Sequence, residues 1–95
     1  MIAESKGTDI TSAVKQLENS ASGLFDKEVG ANASNTDLRI YTSQNNLAEM
    51  TNASSEATKF GGYSVRDGYL GYYNESREWL YEQVKGVRVQ VVAAP

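Results

Sequence analysis

Apolar residues recur near the start of the chain at Ile10, Ala13, Val14, Leu17, Ala21 and Leu24. Intervals of three and four residues draw a single stripe along a helix. Thr8 can cap that helix, Asp9 suits its first turn and Gly23 can serve as its left-handed stop. The pattern therefore predicts a helix from about Asp9 to Ala21 inside an amphipathic segment 8–25, with residues 1–7 as a flexible N-terminus. Between Asp26 and Asp37 small and polar residues dominate around Gly30, which predicts a polar linker over 26–37.

The period then changes. Leu38-Arg39-Ile40-Tyr41-Thr42-Ser43 alternates with period two and is rich in β-branched and aromatic residues, the signature of a strand. Asn45 or Asn46 can cap a second helix to about Phe60, whose Leu47, Met50, Ala53, Ala57 and Phe60 share one face and which Gly61-Gly62 ends. Two short apolar runs flanking Asp67-Gly68 predict a β-hairpin, because that dipeptide accepts the positive φ angles that match strand twist. Asn74 reads as the cap of a third helix through Lys85 with Gly86 as its stop, and Val87 to Val92 alternates as a last strand before a fraying 93–95. Over residues 38–92 the order is strand, helix, strand, strand, helix, strand. Such an α+β domain is expected to be ferredoxin-like, βαββαβ, an antiparallel four-stranded sheet in spatial order 4-1-3-2 with two helices on one face, preceded by the extra N-terminal helix.

Strand alternation assigns faces. The Asp67-Gly68 turn pairs Val65 with Leu70 and Tyr63 with Tyr72, and sets these four toward the helices with Leu38, Ile40, Thr42, Val87, Val89 and Val91. The opposite face receives Arg39, Tyr41, Ser64, Arg66, Tyr69, Tyr73, Arg88, Gln90 and Val92. Tyrosine and arginine are common anchors of binding surfaces, so Arg39, Tyr41, Arg66, Tyr69, Tyr73 and Arg88 are candidate partner-binding residues. Ile10, Val14 and Leu17 join them, since their stripe needs a surface to cover it. Three arrangements are open: the stripe folds back onto the Tyr/Arg face, the face or the stripe buries against another chain, or single-stranded nucleic acid stacks on the tyrosines with its phosphates at the arginines.

Composition narrows the chemistry. The 95 residues include neither cysteine nor histidine, which removes disulfides, thiolate ligands and nucleophiles, and the side chain best suited to proton transfer near neutral pH. The net charge of −3 opposes nucleic acid, and it originates entirely in residues 1–37, where three lysines meet six carboxylates. Nowhere is there an apolar run of membrane-spanning length, and a cytoplasmic location without membrane contact is expected.

Two acidic patterns could be mistaken for sites. Residues Asp26 to Asp37 have the length of a calcium loop, but Ala31 stands where the turn needs glycine and Gly30 brings no ligand oxygen where one is needed. Glu75, Glu78 and Glu82 would share a stripe of the third predicted helix, where solvation and the helix dipole account for them. Trp79 on that helix would pack in the core. The sequence therefore predicts a protein that is not an enzyme and carries no cofactor or metal. Its expected role is a small acidic protein-binding module that docks on a larger assembly or self-associates as a homo-oligomer; phage-encoded inhibitors and assembly factors are of this kind. The alternative is a single-stranded nucleic-acid-binding or ligand-sensing domain that uses the Tyr/Arg face.

Overall fold

The computed structural model describes residues 2–5, 9–27, 30–52 and 58–94. It shows two helices and a mixed sheet, in the order β1 (Ile2–Ser5), α1 (Ile10–Lys27), β2 (Leu38–Thr42), α2 (Gln44–Asn52), β3 (Ser64–Arg66), β4 (Tyr69–Tyr73), β5 (Trp79–Tyr81), β6 (Gln83–Val84) and β7 (Val87–Ala93). Short 3-10 turns occupy Ala33–Asn35 and Thr58–Phe60.

Helix α1 begins at Asp9, whose Oδ1 accepts from the Ser12 amide at 3.1 Å; Thr8, the expected cap, lies outside the described residues. The helix continues through Gly23 to Lys27. A glycine inside a helix costs only about 1 kcal/mol, and Phe25, one turn beyond the expected end, packs against the core. The polar linker is correspondingly shorter than expected. In it Asn32 and Asn35 cap the 3-10 turn, and both donate side-chain N–H groups to the Gly30 carbonyl. Helix α2 starts one or two residues before the expected cap, because the Ser43 hydroxyl takes that role for the Asn46 amide. Ala53 and Ala57, placed on its apolar face, lie outside the described residues.

The hairpin at Asp67-Gly68 forms in the expected register, Val65 opposite Leu70, with both turn residues at positive φ. The rest of the sheet departs from a ferredoxin-like arrangement. Its order is β1-β2-β7-β4-β3, with β1, β2 and β7 parallel to one another and β7, β4 and β3 antiparallel. Residues 2–5, expected to be flexible, form an edge strand beside β2.

The expected third helix is instead the β5–β6 segment. Strands β4 and β7 pair at Tyr69 and Gln90 and then diverge. The gap is filled by a bent ribbon whose β5 half pairs with β4 and whose β6 half pairs with β7. At the bend the Glu82 amide donates to the Leu70 carbonyl at 2.9 Å. Lys85-Gly86, expected to stop a helix, is a hairpin turn with φ of 52° and 83°.

One face of the sheet carries the core. Leu38, Ile40, Val65, Leu70, Val84, Val87, Val89 and Val91 form one cluster with Ile10, Ala13, Leu17 and Ala21 of α1, Met50 of α2, and Phe60. Two helices do cover one face, and α1 is one of them. The N-terminal stripe thus occupies the place that the sequence pattern gave to a helix over 74–85.

Candidate functional site

With both helices on one face, no described helix covers the other. Register builds that outer face residue by residue: Arg39 stands beside Gln90, Gln90 beside Tyr69, and Tyr69 beside Arg66. Adjacent positions on neighbouring strands share a face, so these four side chains form one row across β2, β7, β4 and β3. Arg39 Nε donates to Gln90 Oε1 at 3.2 Å. A hydrogen bond with Tyr41, helped by the nearby Asp37 carboxylate and opposed by burial, raises the Arg39 guanidinium above its already high ordinary pKa.

A second line of side chains, all aromatic, runs from Tyr69. Tyr69 meets Tyr81 edge to face at a centroid distance of 6.2 Å, Tyr81 meets Trp79 at 5.4 Å, and Trp79 meets Tyr73 at 5.2 Å. These separations lie in the favourable range for aromatic pairs. The guanidinium of Arg88 stacks on the Tyr81 ring at 4.0 Å from its centroid, a cation–π contact. Gly71 makes room for the ladder: a Cβ there would stand 2.5 Å from the Trp79 ring and 2.4 Å from the Leu80 carbonyl oxygen. Trp79 Nε1 and Ser64 Oγ are buried with no hydrogen-bond partner among the described residues.

Between row and ladder lies a notch of about 170 Å³, lined by Asp37, Tyr69, Arg88 and Gln90 with Leu38 and Val87. It brings a carboxylate, a guanidinium, a phenol and a carboxamide to the rim of one small depression. No His or Cys is available to this face. The arrangement can bind by stacking, hydrogen bonding and charge.

The structure thus places Arg39, Arg66 and Tyr69 in the row and Tyr73 and Arg88 on the aromatic ladder, with Tyr41 beside Val92 on the same face. It separates Ile10, Val14 and Leu17 from them. Ile10 and Leu17 are buried and Val14 packs against the core, so the stripe is satisfied within the chain. It covers the inner side of the sheet, not the Tyr/Arg face. Trp79 and Tyr81 are the residues of this face that sequence reasoning missed, because a helix would have sent Trp79 inward. The signal was present in the period-two alternation of Trp79, Tyr81 and Gln83 against Leu80, Glu82 and Val84. The three glutamates expected on one helical stripe are spread out: Glu75 and Glu78 flank the β4–β5 turn, and Glu82 lies at the bend between β5 and β6.

Among the described residues no helix is long and apolar enough to cross a membrane. Compared with known proteins, the chain matches no family model, no curated protein and no solved structure.

Proposed function

We propose that this chain is a non-enzymatic binding module that docks an acidic protein surface onto the outer face of its sheet. The observation that carries the reading is the uncovered row Arg39–Gln90–Tyr69–Arg66 beside the Tyr69–Tyr81–Trp79–Tyr73 ladder. Tyrosine, tryptophan and arginine are the residues that contribute most to protein interfaces. Here they are held by strands and by one another, so little side-chain entropy remains to be lost on docking.

Charge selects the partner's chemistry. The described strands present Arg39, Arg66 and Arg88 on this face with Asp37 at its rim, whereas the whole chain carries −3. An acidic partner is steered toward this side and away from the rest of the surface. Two copies packed face to face would set three guanidiniums against three, which favours a different chain over a second copy. Single-stranded nucleic acid would use the same arginines, but the Tyr81 ring already carries Arg88 on one side, which leaves less of the ladder open to stacked bases.

The test is a charge reversal. Arg66→Glu with Arg88→Glu is expected to weaken capture of the native partner from its source cells by more than about tenfold, the effect of losing interfacial hot spots. Lys15→Glu on the solvent side of α1 should leave capture unchanged. Equal retention by the face variant would overturn the reading. So would tight binding of a labelled oligonucleotide with affinity falling steeply as salt rises, which would assign the face to nucleic acid.

A further inference from the structure

On the helix side of the sheet, the core ends before β4 and β5 do. Tyr72 and Leu80 stand opposite each other on these strands and, among the described residues, are the exposed large hydrophobic ones, at 37% and 42%. Beside them opens a cleft of about 520 Å³, bounded by Thr11 at the start of α1, the Gly61-Gly62 turn, Tyr63, Tyr72, Tyr73 and Glu82. Tyr73 belongs to both this cleft and the outer face, whereas Thr11, Tyr63 and Tyr72 wall it on the helix side.

Its walls have a definite chemistry. The rings of Tyr63 and Tyr72 meet edge to face at 81° with centroids 6.4 Å apart and line the cleft together, forming its corner. The Glu82 carboxylate lines the same cleft and lies near enough to the Tyr63 phenol to help raise its pKa, after burial. Gly61 lets the turn approach α1 closely: a Cβ would stand 2.6 Å from Thr11 Oγ1, and its φ of 66° suits glycine. No lysine or arginine lines the cleft.

Aromatic faces carry negative potential, and a cleft walled by tyrosines with no cation of its own favours a positive guest. A carboxylate beside them adds a full negative charge. An anion is repelled here, and a small hydrated metal ion finds one carboxylate and too few oxygens. A cation with a weakly hydrated, apolar surface satisfies all three walls.

We propose that the Tyr63–Tyr72–Glu82 corner binds an alkylammonium group, in particular a quaternary ammonium carried on a narrow aliphatic stem. A methylated lysine side chain and a free choline-like molecule share this chemistry. Leu80 beside Tyr72 extends the apolar wall along which such a stem would lie.

The experiment follows the tyrosine ring protons by NMR during titration with choline, with a short peptide containing trimethyl-lysine, and with the same peptide bearing a neutral tert-butyl isostere. Both ammonium probes are expected to shift the Tyr63 and Tyr72 resonances, and the charged peptide should bind about tenfold more tightly than its isostere, the scale of a partly desolvated cation–π contact. Glu82→Gln and Tyr72→Leu should each remove most of that preference, while Tyr72→Phe should keep it. Tyr72 is open to solvent, so its variants test the corner even where Glu82→Gln perturbs folding. Tighter binding of the peptide than of choline would assign the site to a partner's side chain, and the reverse order to a small molecule. Equal affinity for the neutral isostere, or unshifted rings in the folded protein with both ammonium probes, would overturn the proposal.

Discussion

Trp79 reaches across β4 only because residue 71 has no side chain. Any Cβ at that position meets the indole and the Leu80 carbonyl oxygen, and the carbonyl cannot move without breaking the β4–β5 ladder. Gly71→Ala is therefore expected to lower stability by about 1–3 kcal/mol, the usual cost of forcing atoms into filled space. Urea unfolding followed by emission from Trp79, the one tryptophan of the chain, measures it directly. Tyr63 gives a second residue-level expectation. Burial first, and then the Glu82 carboxylate, push its phenol from the ordinary 10.0 up to about 12. The folded state thus holds this proton more tightly than the unfolded state does. Its contribution to stability is complete below about pH 10 and is lost as pH rises toward 12. Tyr63→Phe should flatten that alkaline decline in thermal melts recorded across the interval; an unchanged slope would place the titration elsewhere.

Turn chemistry explains which elements the sequence revealed. Asp67-Gly68 specified a hairpin and its register together, because the strands on either side alternate and no helix cap competes nearby. Residues 74–85 sent the opposite message: Asn74 resembles a helix cap, and Glu, Arg, Leu and Lys are good helix formers. In the folded chain Asn74 does accept a backbone hydrogen bond, from the Glu78 amide at 2.9 Å, but it closes the β4–β5 turn, with Arg77 at a φ of 60°. Tertiary pairing overrode local propensity there. The gap between diverging strands offered two ladders to any segment that could alternate, and Trp79 to Val84 can. Gly86 illustrates the same ambiguity, since a left-handed glycine ends a helix or turns a hairpin equally well. Its role is testable. Gly86→Ala is expected to cost about 1–2 kcal/mol through left-handed strain, and hydrogen exchange should show the loss first at the β6–β7 amides. A protein whose β4–β5 amides opened first would contradict this account of the turn.

For the molecule as a whole, the outer face was legible and its frame was not. Parity alone put Arg39, Tyr41, Arg66, Tyr69, Tyr73 and Arg88 on one side, because alternation holds whether neighbouring strands run parallel or antiparallel. Strand order and direction left no comparable mark, since β2 and β7 bury the same alternating positions in either orientation. The stripe on α1 was equally plain in sequence, but its destination depended on whether another helix already covered the sheet.

Strand β7 touches β2 along one edge and both β4 and β6 along the other, so the two halves of the sheet have no direct ladder until it arrives between them. During synthesis β2 and the 64–73 hairpin emerge first, yet neither can find its place before Val91 has cleared the ribosome. Their apolar faces stay partly uncovered until that strand docks, so a lesion in β7 would loosen both halves of the sheet at once.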